Sequence, residues 1–73
     1  MTKKRENFKR IAEQRVNKVI NMIRLVGNLA NKRNYDYDDD DAMRIITVIE
    51  FELKKAKEAF KKESEITEEK FKL

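Results

Sequence analysis

An acidic run in the sequence contains the residue types that most resemble a metal-binding loop. Asp36, Asp38 and Asp40 alternate along the chain, which is the oxygen spacing that opens an EF-hand calcium loop. The match ends there, because the sixth position requires glycine and is Asp41, and the twelfth requires glutamate and is Thr47. We therefore expect these aspartates to cap and begin a helix, with weak binding of divalent cations as the alternative.

Residues for catalysis are scarce. The sequence has no histidine and no cysteine, which removes the usual near-neutral proton donor, the thiolate nucleophile and two common metal ligands. The hydroxyls of Thr2, Thr47 and Ser64 therefore have no imidazole base, and a single glycine cannot form a glycine-rich phosphate loop. We expect no catalytic residue, no bound metal and no cofactor, and we predict that the protein is not an enzyme.

A row of polar side chains in the first half of the chain is the best candidate for a binding site. Asparagine is a weak helix former because its side chain competes for backbone hydrogen bonds, so a merely solvated face is better built from lysine and glutamate. Amides and guanidinium groups can hydrogen-bond to bases, 2′-hydroxyls and phosphates. The row is therefore either a recognition face or a solvated face, or it is a polar seam within an oligomer. Its members recur at steps of three and four residues: Arg10, Gln14, Asn17, Asn21, Arg24 and Asn28.

Charge is distributed unevenly along the chain. Residues 1–33 contain ten Lys and Arg and two Glu, a net charge of +8, whereas residues 34–73 contain eight Lys and Arg and twelve Asp and Glu, a net charge of −4. A basic half favours an anionic partner, which is RNA, DNA or an acidic protein surface. The opposite signs also suit two neighbouring helices that pair with each other.

Two functions from different classes fit these features. The first is nucleic-acid binding, with phosphate contacts from Lys9, Arg10, Arg24, Lys32 and Arg33, and polar base-edge contacts from Asn17, Asn21 and Asn28, beside Gln14. The second is a protein-interaction module or inhibitor that uses the same face, or an apolar one, against a larger protein partner.

The polar row needs a helix to position it, and the apolar pattern predicts one over about residues 4–31. Apolar residues recur at steps of three and four from Phe8 to Ala30, which is helical periodicity. Ile20, Met22 and Leu25 lie outside the central stripe, so the apolar arc is wide enough to contact more than one neighbouring helix. Gly27 is expected to permit close approach of such a neighbour, or a local bend.

A second helix is predicted over about residues 39–62, after a turn at residues 32–38. Asp38 is the expected N-cap, accepting a hydrogen bond from the amide of Asp40 or Asp41. A charged tail is expected over residues 63–73, which either frays or forms a short helix capped by Ser64 or Thr67. The apolar residues of this helix follow heptad steps of 4, 3, 4, 3 and 4: Ala42, Ile46, Ile49, Leu53, Ala56 and Phe60.

These elements predict an all-α fold. A chain of 73 residues forms one domain at most, and without a disulfide so small a domain needs oligomerisation to bury a stable core. We therefore predict a single helical domain over residues 1–73, an antiparallel two-helix hairpin that dimerises into a homodimeric four-helix bundle. No transmembrane or secretory segment is recognisable, so a cytoplasmic location is expected. The predicted core comprises Phe8, Ala12, Val19, Ile23, Val26, Ile46, Ile49, Leu53 and Phe60.

The segment RVNK at residues 15–18, followed by IRLVGNLANKRNYDY at residues 23–37, resembles small, largely uncharacterised proteins of bacterial plasmids, prophages and conjugative elements. The resemblance covers roughly residues 5–60 and implies a mobile-element context without a mechanism. In architecture the predicted hairpin is also similar to the Rop family, whose hairpins dimerise into four-helix bundles and bind paired RNA loops. None of that family's RNA contacts maps onto this sequence, so the likeness is one of shape.

Overall fold

The computed structural model describes the backbone of residues 2–72 and the side chains of residues 2–65. Helix α1 spans Lys3–Asn28, helix α2 spans Asp39–Lys72, and the described backbone contains no β-strand. Residues 29–38 connect the helices, and the chain divides into two structural units, Met1–Asp36 and Tyr37–Leu73. The predicted fold class is confirmed, since the chain is all-α and has the two long helices of a helical hairpin. Dimerisation into a four-helix bundle stays a prediction.

A threonine cap begins α1. The Thr2 backbone is extended, with φ of −75° and ψ of 153°, and its Oγ1 accepts a hydrogen bond from the Arg5 amide at 3.2 Å. The carboxylate of Glu6 lies in the first turn, where the helix dipole favours negative charge. Because Thr2 is the cap, α1 begins at Lys3, one residue before the predicted start.

The predicted end of α1, near residue 31, is wrong by three residues, because the helix ends at Asn28. The amides of residues 29, 30 and 31 each donate to the carbonyl three residues earlier, over 3.1, 3.1 and 3.4 Å. Such 3₁₀-type bonds tighten and close a helix. Lys32 and Arg33 consequently lie in the connection, and the last turn of α1 contains no basic residue.

Two aspartates cap α2 reciprocally. Asp38 Oδ1 accepts a hydrogen bond from the Asp41 amide at 2.8 Å, and Asp41 Oδ2 accepts one from the Asp38 amide at 3.1 Å. This is a capping box in which aspartate occupies the position usually held by glutamate. Asp39, Asp40 and Asp41 form an acidic first turn. The predicted cap at Asp38 is confirmed.

Helix α2 is longer than predicted, because it continues through residues 63–72, where a charged tail was expected after residue 62. This segment has no glycine or proline, and it is rich in glutamate and lysine, whose unbranched side chains lose little freedom in a helix. The heptad pattern ends before the helix does, and that pattern was the basis of the predicted boundary. Leu73, the last residue of the predicted tail, lies outside the described residues.

The apolar residues of both helices remain accessible to solvent. None of the described side chains is buried, and Val19, Ile23 and Leu53 of the predicted core are exposed by 54%, 50% and 68%. Among the described residues, no heavy atom other than those of its chain neighbours and its own helix backbone lies within 4 Å of the position that a Cβ on Gly27 would take. Among the described residues no member of the predicted core is fully buried, and burial of that core in a dimer stays a prediction. No helix in the described part of the chain is long and apolar enough to cross a membrane.

Candidate nucleic-acid interface

One face of α1 presents a continuous row of polar side chains, which we call the polar stripe. At about 100° per residue its members fall within a sector of about 80°, and the row is about 27 Å long at 1.5 Å per residue. All of them are exposed to solvent. The polar stripe consists of Arg10, Gln14, Asn17, Asn21, Arg24 and Asn28.

The side chains of the polar stripe have their hydrogen-bonding groups available. Within the described part of the chain, none of the six forms a side-chain hydrogen bond or an ion pair. Each arginine can donate to phosphate in a bidentate manner, and each amide can both donate and accept at a base edge. Glu13 lies at the edge of the stripe between Arg10 and Asn17, so the positive charge on this face is reduced near its N-terminal end.

The connection places two more cations just beyond the C-terminal end of the stripe. Asn31 organises this turn, because its Oδ1 accepts from the Arg33 amide at 3.0 Å. Its carbonyl accepts from the amides of Asn34 and Tyr35, both at 3.1 Å. Lys32 and Arg33 are exposed on this hydrogen-bonded turn. They belong to the same structural unit as α1, so the structure brings them to one end of the predicted site.

Lys9 is the predicted site residue that the structure separates from the stripe. It is exposed, but it directly precedes Arg10, so it points about 100° away around the helix. That direction puts it beside Val16 and Ile20, at the edge of the apolar arc. Lys9 therefore does not share the face on which the other helical members of the predicted site lie.

Sequence reasoning missed Lys3. It is the first residue of α1, it is exposed, and it lies seven residues before Arg10, which places it on the same helical face. The heptad step was visible in the sequence, but the predicted helix started at residue 4 and left Lys3 outside. Lys3 extends the stripe by two turns toward the N-terminus.

The acidic run does not form a metal centre in the described structure. Asp38 and Asp41 use their carboxylates to cap α2. Among the described residues, no group of three or more carboxylates is arranged to hold a metal ion. The capping interpretation of the acidic run is thus the one that the hydrogen bonds support.

No protein-family model matches this chain, and no curated protein or solved structure shows significant similarity to it. The interpretation of the site therefore depends on its own geometry and chemistry.

Proposed function

We propose that this chain is a small, cytoplasmic, non-enzymatic accessory protein of a mobile genetic element that binds nucleic acid through the polar stripe. The observation that supports the proposal is the stripe itself, six exposed amide and guanidinium side chains without partners in the described part of the chain. The stripe lies in the part of the sequence with a net charge of +8, which attracts a polyanion.

The proposed contacts divide by chemistry. Arg10 and Arg24 would bind phosphates, because guanidinium groups match phosphate oxygens in pairs. Lys32 and Arg33 would hold the backbone beyond the C-terminal end of α1. The asparagines of the stripe, with Gln14, would face base edges or sugar hydroxyls, where an amide can donate and accept at once.

The active form in this proposal is a homodimer. Apolar residues of α1 such as Val19 and Ile23, exposed by 54% and 50%, lie on the side of the helix away from the polar stripe. A second copy that covers apolar surface would leave both stripes open to a ligand. Two stripes in one particle would also double the number of phosphate contacts, which increases affinity at a given ionic strength.

The direct test is fluorescence anisotropy with labelled duplex DNA and duplex RNA at low and moderate salt. We expect binding that weakens steeply as salt rises. Arg24→Ala should weaken it about five- to tenfold, equal to about 1–1.4 kcal/mol. Arg44→Ala is the matched control, because it removes an exposed arginine from α2 and should leave affinity unchanged. If the protein bound neither duplex DNA nor duplex RNA at low salt, the proposal would be refuted. Equal losses of affinity in Arg24→Ala and Arg44→Ala would refute the role of the stripe.

A protein-interaction module or inhibitor is the second candidate function, and the exposed apolar side chains of α1 and α2 favour it. Affinity capture from a host lysate, with and without nuclease, separates the two candidates. A stoichiometric protein partner that resists nuclease supports this second function. Loss of all captured material after nuclease treatment supports the first.

A further inference from the structure

The second helix presents a straight apolar row, which we call the α2 seam. We propose that two copies of this chain pair through the α2 seam in antiparallel orientation, with Ile49 of one copy against Leu53 of the other. This inference deepens the homodimer part of the proposed function and depends on that part alone. The α2 seam consists of Ala42, Ile46, Ile49, Leu53, Ala56 and Phe60.

The α2 seam is accessible to solvent, since four of its six members are exposed and the other two, Ala42 and Ile49, are partly exposed. Ile46 is exposed by 50%, and Leu53 and Phe60 are each exposed by 68%. Its members are spaced by 4, 3, 4, 3 and 4 residues, the pattern that keeps one side of a helix against a single partner helix. The seam is about 80° wide.

Three further apolar residues of α2 lie along one edge of the seam and not on it. Ile45 and Val48, exposed by 40% and 62%, are rotated toward one side, together with Ala59. They widen the apolar arc to about 160°, which is the arc of a helix with two neighbours. The seam and these flanking residues therefore serve two different contacts, and only the seam has the narrow heptad geometry of a helix pair.

Residue size favours antiparallel over parallel pairing of the seam. In a parallel pair each residue meets its own copy, so alanine layers would leave voids and the Phe60 layer would be overfull. Antiparallel pairing about a two-fold axis level with Phe51 uses the whole seam. It puts a large residue opposite an alanine in the outer layers and two aliphatic residues opposite each other in the central layers. It gives three kinds of layer, each formed twice: Ala42 with Phe60, Ile46 with Ala56, and Ile49 with Leu53.

Charge along α2 favours the same orientation. Residues 38–41 are four aspartates, whereas residues 54–62 contain five lysines and one glutamate. A parallel pair would bring two acidic ends together, eight aspartates in all. The antiparallel pair places the four aspartates of each copy level with Lys61, Lys62, Glu63 and Ser64 of the other, a segment with a net charge of +1, and it opposes the two helix dipoles.

Like charges near the proposed axis are partly neutralised within each helix. Glu50 and Glu52 lie beside the seam, one residue before and one residue after the level of the axis. The centre of the pair therefore contains four glutamates, two from each copy. Lys55 Nζ lies 3.4 Å from Glu52 Oε1, and Lys54 follows Glu50 by one helical turn. The lysines reduce the repulsion that these glutamates would otherwise exert across the axis.

The exposed surface of the chain is large enough for an obligate dimer. Its solvent-accessible area is 7610 Å², whereas a folded monomer of 8.8 kDa exposes about 4,800 Å². The excess is about 2,800 Å² per chain by the same size relation. Two chains together have an excess of about 5,600 Å². Obligate homodimers bury about 2,000–5,000 Å² or more in total, so pairing with a second copy can account for most of this surface.

Cysteine cross-linking tests the orientation and register directly, because the natural sequence contains no cysteine. Ile49→Cys and Leu53→Cys variants, one of them tagged to change its mass, are mixed and equilibrated in a glutathione redox buffer without nucleic acid. We expect the mixed disulfide dimer to exceed either self-linked dimer at least about fivefold. In the proposed register the two cysteines face each other, whereas two copies of either one are offset by about 6 Å along the helix, beyond disulfide reach.

Two controls accompany this measurement. Phe51→Cys places the thiol level with the axis but on the opposite side of α2, and it should not self-link. Ile49→Cys mixed with Phe60→Cys reports the antiparallel register displaced by one heptad, and it should link poorly. Far-UV circular dichroism confirms that each variant remains helical, and sedimentation of the wild-type protein reports its oligomeric state independently of any variant.

Each result decides the proposal. Efficient self-linking of Ile49→Cys would show parallel pairing, and preferential linking to Phe60→Cys would show the displaced register; either overturns the inference. A sedimenting dimer without any of these links would also overturn it, while the homodimer part of the proposed function stood. A wild-type monomer at tens of micromolar would reject both the inference and the homodimer, but not nucleic-acid binding by α1.

Discussion

Asp38 and Asp41 belong to an acidic segment that resembles a cation site, but their carboxylates cap the N-terminus of α2. Each carboxylate accepts a hydrogen bond from the backbone amide of the other residue, with N–O distances of 2.8 and 3.1 Å. Two amides that lack helical partners at the N-terminus of α2 therefore have acceptors. The same geometry places Asp39 and Asp40 in the first turn, where their charge is favourable. Capping thus accounts for most of the run without a metal ion.

Removing the cap should weaken α2. We expect Asp38→Ala to lower the free energy of unfolding by about 1 kcal/mol, because the Asp41 amide loses its acceptor. Urea denaturation followed by circular dichroism measures the change. Asp36→Ala is the matched control, since it removes a nearby aspartate that lies before the helix. Equal stability of the two variants would contradict the capping role.

Gly27 tests whether another helix approaches α1 closely. It lies within α1, and its φ is not positive. Outside its own helix backbone and chain neighbours, no heavy atom of the described residues lies within 4 Å of the place that an added Cβ would occupy. We therefore expect Gly27→Ala to stabilise the protein by about 0.5–1 kcal/mol, because alanine loses less backbone freedom in a helix. Urea denaturation provides the measurement. A destabilised Gly27→Ala variant would instead indicate that a neighbouring copy packs against this position.

Helix α1 combines a polar stripe with a wide apolar arc, and the asparagines of the stripe lower its helix propensity. We expect Asn21→Ala to stabilise α1 by roughly 0.5 kcal/mol, because alanine is the better helix former. The same change should weaken nucleic-acid binding, because an amide of the stripe is removed. Paired measurements of thermal stability and anisotropy would show these opposite effects, and gained stability with unchanged affinity would mean that Asn21 has no role in recognition.

Helix type, approximate position and capping could be predicted from the sequence, because they depend on local patterns. The Asp38 cap and the heptad steps after it located α2 correctly at its start. The ends were less accessible to prediction. The end of α1 depends on 3₁₀ hydrogen bonds after Asn28, which the residue pattern does not predict. Helix α2 continues past its last apolar heptad position because no glycine or proline follows to end it.

The candidate site was predictable in part for the same reason. Periodicity alone placed the polar stripe on one face, and the structure agrees with that placement. Lys9 was included for its charge, although its position around the helix separates it from the stripe. Lys3 was left out because the predicted helix began one residue too late. A ligand cannot be deduced from a single face of one helix, since phosphate, base edge and acidic protein offer it similar chemistry.

Truncation of an exposed apolar side chain tests whether a second molecule covers it. Leu53 is 68% exposed in the single chain, so Leu53→Ala should have little effect unless another molecule covers it. We expect it to weaken dimerisation by about 2–5 kcal/mol, the usual loss for a buried leucine, as measured by sedimentation equilibrium. Phe51→Ala, which truncates a side chain that is 57% exposed and on the opposite face of α2, should leave the dimer intact. Equal effects of the two substitutions would contradict pairing through the α2 seam.

Folding and association should be a single process for this protein. No described side chain is buried within one chain, and in the proposed homodimer a second copy supplies the apolar area that stabilises the fold. The folded state of such a protein gains stability with concentration, because unfolding releases two chains from one dimer. We therefore expect the thermal midpoint, followed by circular dichroism, to rise steadily when protein concentration is raised from about 1 to about 100 µM. A midpoint independent of concentration over that range would show that one chain folds alone, and the dimer proposal would then have to be abandoned.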